Sequence, residues 1–168
     1  PVGEDQLPHI EMTREIARRF NRQFKEVFPE PEGLVGRVPR LVGTDGKAKM
    51  SKSMNNAIFL SDDTDTVTKK VRSMFGGPPR GAEDPGDPEE NPILLYLSAF
   101  DPDQDEVSNI KEQYASTGVS NKALKERLTT VLNEFLDPIR DRRAKYESNM
   151  KLVRESIEKG VNEARVTA

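Results

Sequence analysis

The chain has 168 residues and a net charge of -3 at pH 7, with 26 basic and 29 acidic residues interspersed. This charge excludes a uniformly basic coat for nucleic acid and confines any RNA contact to a local patch, while a hydrophobic share of 34% predicts a modest core. The absence of cysteine excludes a disulfide framework, a thiolate zinc site and a cysteine nucleophile, and with His9 as the single histidine we expect no metal site.

The hydropathy and the first residues of the chain indicate a piece of a cytoplasmic protein. No apolar run approaches the length that crosses a bilayer, and the chain does not open with a basic start and an apolar stretch. Residues 1–6 resemble a connection between a strand and a helix, and no initiating methionine precedes Pro1. We therefore expect an excised part of a longer protein.

A helix is predicted over residues 7–28, because one stripe of side chains recurs at intervals of three and four. The stripe consists of Ile10, Thr13, Ala17, Phe20, Phe24 and Val27. The arginines outside the stripe are expected to face water: Arg14, Arg18, Arg19 and Arg22. Pro8 suits the first turn, where a missing N–H costs nothing, and Pro29 and Pro31 are predicted to end the helix.

The middle of the chain is irregular. A short extended run is predicted over residues 38–42, followed by a glycine-rich turn at residues 43–46. The turn leads into the pentapeptide Lys49-Met50-Ser51-Lys52-Ser53. Residues 57–60 are apolar and predict a brief buried strand.

A second helix is predicted next, with Ser61 or Asp62 as its N-cap. Its apolar side carries Val67, Val71, Met74 and Phe75. Residues 76–79 end it, and residues 80–90, rich in proline, glycine and acidic groups, are predicted to form an exposed loop. A cation site is conceivable among the acidic residues at this helix start, but the helix dipole explains them more simply: Asp62, Asp63 and Asp65.

Four more helices are predicted in the second half of the chain. Their approximate spans are 93–100, 104–116, 121–146 and 150 to beyond 161. Asn91 and Pro92 form a cap and a first turn, Gly118 closes one helix and Ser120 caps the next. Pro138 lies inside the long helix and predicts a kink, because its ring removes one hydrogen bond and clashes one turn back.

Two short segments carry groups suited to a nucleotide. Residues 49–53 bring two ammonium groups and two hydroxyls to one segment, and these can surround a triphosphate, although such segments are commonly only solvated basic loops. In residues 3–6, glycine permits close backbone approach, and acidic or amide groups can accept hydrogen bonds from ribose hydroxyls. The alternative for residues 3–6 is a polar turn with Asp5 favoured at a helix start.

The pentapeptide at residues 49–53 is identical to the signature loop of class I aminoacyl-tRNA synthetases, which the chain resembles on this ground. In that family the loop closes over ATP and stabilises the pyrophosphate leaving group while an amino acid carboxylate attacks the α-phosphorus. The resemblance implies catalytic roles for Lys49 and Lys52 and a place in the ATP site for Met50, Ser51 and Ser53. Mg²⁺ would arrive with ATP as part of the substrate.

Residues 3–6 resemble the nucleotide-ribose motif shared by the tyrosine and tryptophan synthetases. The resemblance implies that Gly3, Glu4, Asp5 and Gln6 belong to the nucleotide site, and the glutamate in second place favours tryptophan. Val38 stands about where the family brings an aliphatic residue against adenine, although an apolar residue in an extended run is more often part of a core.

Residues 136–146 and the helix after them are similar to the terminal helices of tryptophanyl-tRNA synthetases. The resemblance implies a mainly α fold in two parts. Residues 1–60 would be the end of a Rossmann-like α/β catalytic domain, and residues 61–168 a helical bundle of the type that binds the anticodon.

The implied activity is that of a tryptophan–tRNA ligase, which forms tryptophanyl adenylate from ATP and transfers it to tRNA(Trp). The resemblance also implies a homodimer formed through a half that this sequence lacks, so we expect the piece to be inactive alone. A tyrosine-specific synthetase is an alternative within the same class. A non-catalytic helical RNA-binding module with a relic phosphate loop is an alternative from another class.

RNA contact is predicted for a basic cluster near the end of the long helix: Arg140, Arg142, Arg143 and Lys145. The alternative is a solvated or salt-bridged face, because Asp141 interrupts the cluster and Glu147 follows it. His9 is expected to be a partly exposed polar residue without a catalytic role.

Overall fold

A computed structural model describes residues 1–36, 41–46, 50–79, 81 and 84–167. The described residues are mainly helical, which confirms the predicted fold class. The helices are α1 Leu7–Gln23, α2 Thr64–Ser73, α3 Pro92–Phe100, α4 Gln104–Ser116, α5 Asn121–Glu147 and α6 Met150–Thr167, with 3-10 turns η1 Glu4–Gln6 and η2 Pro88–Glu90. Val2 and Val35 form an isolated parallel β-bridge.

The core lies between α2, α3, α4 and α5. Helix α3 packs against α4 and α5, and α2 packs against α5. Because nearly every residue of α3 is apolar, this helix can be covered on several sides at once. The fully buried side chains at the centre include Val67, Val71, Ile93, Leu94, Leu97, Leu124 and Leu128.

Side-chain oxygens cap the first turns of the bundle helices. They accept hydrogen bonds from backbone N–H groups that have no partner within the helix. Asn91 and Ser120 cap α3 and α5, which confirms both predictions. Asp63 caps α2 by accepting from the N–H of Thr66 at 2.7 Å, so the prediction of Ser61 or Asp62 was wrong. Asp103 similarly caps α4, whose bounds match the predicted span.

Helix α1 ends at Gln23, five residues before the predicted end. The side-chain amide of Asn21 donates to the carbonyl of Phe28 at 2.8 Å and accepts from its N–H at 3.1 Å, which turns the chain back on the helix. The Phe20 ring then lies 4.9 Å from the Phe24 ring and 4.8 Å from the Phe28 ring. These contacts, and not Pro29, end the helix.

Two of the four arginines of α1 that were expected to face water also pair with an acidic group at the surface. Arg18 donates to both carboxylate oxygens of Glu30, at 2.9 and 2.8 Å, and Arg14 lies 3.4 Å from the same carboxylate. Hydrogen bonding to Arg18 lowers the pKa of Glu30. The pairs hold residue 30 against α1, and among the named elements α1 contacts only η1.

Residues 57–60 do not form the predicted strand. Their backbone groups bind side chains instead of a neighbouring strand: the carbonyl of Ala57 accepts from Lys70 at 2.9 Å, and the N–H of Phe59 donates to Asp62 at 2.8 Å. Leu60 is 61% exposed. The predicted extended run at residues 38–42 lies largely outside the described residues, as does Val38.

The predicted loop at residues 80–90 is partly structured. Its end forms η2, in which the Asp87 carboxylate accepts a hydrogen bond from the N–H of Glu89 at 2.9 Å. The N–H of Gly86 donates to the carbonyl of Tyr114 at 2.9 Å, which ties the loop to α4. Arg80, Ala82 and Glu83 lie outside the described residues.

Helices α5 and α6 extend beyond the core. Helix α5 continues through Pro138, and the predicted kink there stays a prediction. Helix α6 begins at Met150 as predicted, buries no residue and contacts only α5 among the named elements. Across the described ranges, no helix combines the length and apolar character needed to cross a membrane.

Candidate functional site

The signature loop, residues 49–53, rises from a closed base. The N–H of Thr44 donates to the carbonyl of Asn56 at 2.8 Å, joining the chain before the loop to the chain after it. The N–H of Gly46 donates to the carbonyl of Gly43 at 2.9 Å, which forms the predicted glycine turn. Gly46 has a positive φ of 71°, a conformation that glycine adopts without strain.

Asn56 organises this base. Its side chain is buried, with the residue only 3% exposed, and its Oδ1 accepts from the N–H of Ser51 at 2.8 Å. Its Nδ2 donates to the Asp45 carboxylate at 3.2 Å. A Cβ on Gly43 would lie 2.2 Å from Asn56 Nδ2, so glycine is needed there. One buried amide thus fixes the signature loop on both sides.

The tip of the signature loop is accessible. The Ser51 and Ser53 hydroxyl oxygens lie 2.8 Å apart, and Lys52 is exposed. The N–H of Asn55 donates to the carbonyl of Lys52 at 3.2 Å, and the positive φ of 50° at Asn55 turns the chain back towards the base. Lys49, the other predicted catalytic lysine, lies outside the described residues. The tip therefore offers a mobile ammonium group beside two paired hydroxyls.

The base of the signature loop packs on the helical bundle. The Tyr96 hydroxyl of α3 donates to the carbonyl of Val42 at 2.7 Å, and the N–H of Phe75 donates to the carbonyl of Thr44 at 2.8 Å. Met50, inside the loop itself, is half-buried against the core. Burial raises the pKa of Tyr96 to about 12. The loop therefore stands on α3 and on the end of α2.

The chain leaving the signature loop is held by two cations. Lys70 of α2 lies 2.6 Å from the Asp62 carboxylate and 4.5 Å from the centre of the Phe59 ring. Arg140 of α5 donates to the carbonyl of Asp62 at 2.8 Å. These contacts engage Asp62 and the helix cap engages Asp63, whereas Asp65 lies in the first turn of α2. No group of potential metal ligands occurs within the described part of the chain.

Residues 3–6 form the polar turn that the sequence allowed. Glu4–Gln6 is the 3-10 turn η1, and the N–H of Gln6 donates to the carbonyl of Gly3 at 3.0 Å. The acidic and amide side chains are exposed, and Gln6 donates to Asp5 at 3.3 Å. The turn leads directly into α1, whereas the signature loop stands on the bundle.

The predicted RNA cluster is divided by its contacts. Arg140 is the least exposed member, with 18% of its side chain accessible. Besides Asp62, it binds Asp137 at 2.7 Å and Asn133 at 2.9 Å, so it joins elements within the protein. Arg143 pairs with Glu147 at 2.7 Å. The remaining two members, Arg142 and Lys145, are exposed.

Sequence reasoning missed Asn56, Tyr96 and Lys70, which hold the signature loop in place. A polar residue soon after a phosphate-binding segment was the only available signal for Asn56, and Asn55 beside it carries the same signal without the same role. Tyr96 lies in an apolar helix and gives no sign that its hydroxyl reaches a carbonyl 54 positions away in sequence.

The fold and the signature loop are typical of one class of protein. Comparison with known families identifies that class. Residues 1–137 match the family described as tRNA synthetases class I (W and Y). The chain belongs to this family.

Its relatives include tryptophan–tRNA ligases. The chain is 48% identical over 169 residues to that of Treponema pallidum, covering 100% of this chain and 50% of the relative. It is 47% identical over 161 residues to that of Chlamydia caviae, covering 95% of this chain and 47% of the relative. The chain thus spans about half the length of the curated relatives it matches.

Solved structures of tryptophanyl-tRNA synthetases also resemble this chain over about half of their length. A tryptophanyl-tRNA synthetase of Campylobacter jejuni, complexed with ADP and tryptophan, superposes with a TM-score of 0.69 at 30% identity, over 98% of this chain and 51% of that one. The Mycoplasma pneumoniae tryptophanyl-tRNA synthetase superposes with a TM-score of 0.72 at 25% identity, over 99% and 51%.

Proposed function

We propose that the chain is the part of a tryptophan–tRNA ligase that supplies the phosphate-binding loop and the helices that hold tRNA. The observation that carries this proposal is the signature loop itself, a tip with an exposed lysine and paired hydroxyls on a buried, hydrogen-bonded base. Tryptophan specificity is supported by relatives that carry that name and match the whole length of this chain.

The chemistry follows from the groups at the tip. Tryptophan's carboxylate attacks the α-phosphorus of ATP, the bond to the bridging oxygen breaks, and pyrophosphate leaves with its Mg²⁺. Lys52 neutralises charge that grows on the departing phosphates, with Ser51 and Ser53 as donors, and we assign Lys49 the same role. Residues 3–6 accept from the ribose hydroxyls. A ribose hydroxyl at the end of tRNA(Trp) then attacks the carbonyl carbon of the adenylate, an ester bond forms, and AMP leaves.

A fixed base suits this chemistry because the leaving group must meet its donors in one geometry. Asn56 holds the Ser51 backbone, and the bundle holds the segment around Asn56, so the base is already placed before the reaction. We also propose the division into residues 1–60 and 61–168, a cytoplasmic location and a homodimer of the whole enzyme.

A chimera tests the proposal. This chain would replace the matching half of the Treponema pallidum tryptophan–tRNA ligase, and ATP–pyrophosphate exchange would be measured with tryptophan or with tyrosine. We expect exchange that depends on tryptophan. Exchange that depends on tyrosine would contradict tryptophan specificity and favour a tyrosine-specific synthetase. A folded chimera without exchange would contradict a catalytic role.

The chain alone is the matched control. One wall of an ATP site cannot supply the amino acid pocket, so the 168-residue chain is expected to show no exchange. Robust exchange by the purified chain, free of host enzyme, would show that the rest of the enzyme is not required.

A further inference from the structure

A groove runs between α2 and the first half of α5. Its volume is about 690 Å³. It is lined by Thr68, Arg72, Asn121, Lys122, Lys125, Glu126, Thr129 and Thr130. All eight are polar or charged residues, so the groove offers hydrogen-bonding and charged groups to a ligand.

The charge of the groove is opposite to that of the whole chain. Three lining residues are cationic and only Glu126 is anionic, whereas the chain carries a net charge of -3. Lys122 and Glu126 approach only to 4.0 Å, and both side chains are mostly exposed. Such a pair contributes little, so the ammonium group remains available to a ligand.

The lining side chains differ in whether they are already held by contacts within the protein. Lys125 donates to the carbonyl of Arg72 at 2.8 Å, and Asn121 donates to the carbonyl of Gly76 at 2.8 Å, so both stabilise the end of α2. The Arg72 side chain and Lys122 are exposed. Asn121 is also the first residue of α5, where the helix dipole adds positive potential to that of the side chains.

The basic cluster predicted from the sequence is a poorer polyanion site. Arg140 is held by contacts within the protein and Arg143 pairs with Glu147, so the exposed cations Arg142 and Lys145 remain on a single helix. In the groove, by contrast, cations from two helices face one channel. A channel between helices also gives phosphate oxygens partners on two sides.

We propose that the groove between α2 and α5 holds the sugar-phosphate backbone of the tRNA. The proposal rests on the proposed function for the identity of the ligand and names the surface that binds it. Cations and hydroxyl groups suit phosphate and ribose, and none of the described residues that line the groove is aromatic. The contact therefore positions tRNA without reading its sequence.

The test compares two double variants of this chain, which contains both surfaces. Arg72→Ala with Lys122→Ala removes the two groove cations that are not needed to hold α2, because alanine retains the carbonyl that Lys125 binds. Arg142→Ala with Lys145→Ala is the matched control at the cluster. Binding of a tRNA(Trp) transcript and a non-cognate transcript is titrated from 50 to 200 mM salt.

The groove variant should weaken binding of both transcripts and flatten the salt dependence by about 1.4 to 1.8 units of slope, from roughly 0.7 to 0.9 per phosphate contact. The wild-type chain would then lose about tenfold more affinity than the variant across this salt range. Lys122→Glu, at a side chain that is 86% exposed, should weaken binding further without affecting the fold.

An unchanged slope in a folded groove variant, with salt-dependent binding by the wild type, would overturn the groove while leaving the proposed function intact. A flattened slope in the cluster variant alone would place the RNA on the end of α5 and would likewise overturn the proposal. Absence of tRNA binding by the wild-type chain would contradict both the groove and the tRNA-holding role.

Discussion

Residues 1–36 and residues 41–60 differ in what they pack against, although the sequence analysis placed both in one catalytic remnant. The first segment binds itself, through Arg18 with Glu30 and through the bridge between Val2 and Val35. The second segment binds the bundle, through the Tyr96 hydroxyl on one side of the signature loop and Lys70 on the other.

This difference shows that the domain to which a family assigns a segment does not determine which part of the protein the segment packs against. We propose the signature loop for the catalytic site because of its chemistry, yet its base shares hydrogen bonds and core contacts with the helical bundle. The stability of the base should therefore depend on the bundle and not on α1.

The largest effect on stability is expected from the bundle core. Leu128→Ala should lower the free energy of unfolding of the 168-residue chain by about 2–5 kcal/mol, because Leu128 is fully buried and leaves a cavity. Met12→Ala on α1, where Met12 is 64% exposed, should change it by less than about 0.5 kcal/mol. Urea denaturation measures both. Equal losses would contradict the exposed position of Met12 on α1.

The tip of the signature loop should act on chemistry. Lys52→Ala in the chimera should slow adenylate formation about a hundred- to thousandfold, corresponding to about 2.7–4 kcal/mol, with tryptophan affinity nearly unchanged. Single-turnover measurements with preformed adenylate should show normal transfer to tRNA, because pyrophosphate has already left. Adenylate formation within a few-fold of the unmodified chimera would contradict the phosphate role.

The base of the signature loop should act on placement. Asn56→Ala leaves the Ser51 N–H without its partner and should destabilise the 168-residue chain by about 1–3 kcal/mol. The adjacent Asn55 provides the matched control: Asn55→Gly relieves a positive φ and should not destabilise. Thermal denaturation distinguishes them, and equal behaviour of the two variants would contradict the role of the buried amide.

The smallest effect is expected from the link between α3 and the base. Tyr96→Phe should cost about 0.5–1.5 kcal/mol at pH 7, the net value of one hydrogen bond. Because burial raises the pKa of Tyr96 from 10.0 to about 12, the unfolded chain releases this proton first, and the chain loses stability as the pH rises from 10 to about 12. Denaturation across this range should show a smaller loss for Tyr96→Phe. An equal loss would contradict the burial of this hydroxyl.

The helices could be predicted from the sequence where local signals determine them. Asn91 with Pro92, and Ser120, announce helix starts through groups that act within three residues, and Gly118 ends α4 with a positive φ of 79°. The early end of α1 could not be predicted, because the side chain of Asn21 competes for backbone groups that an extended helix would use.

The residues of the candidate site could be singled out from the sequence, but the contacts that support them could not. Residues 49–53 can be recognised from their own sequence. The role of Asn56 depends instead on partners on both sides of a turn. Arg140 looked like an RNA contact because its neighbours in sequence are basic. Its partner Asp62 lies 78 positions away, and only the packing of α5 against α2 brings them together.

Native-state amide hydrogen exchange of the 168-residue chain tests most directly whether the base of the signature loop belongs to the bundle. The N–H groups of Thr44, Ser51 and Phe75 donate within the base, and they should exchange with the same opening free energy as the N–H groups of α5. The N–H groups of α1 should exchange at a lower free energy. If those three amides instead exchanged together with α1 while α5 stayed protected, the base would open independently of the bundle and the account would be wrong.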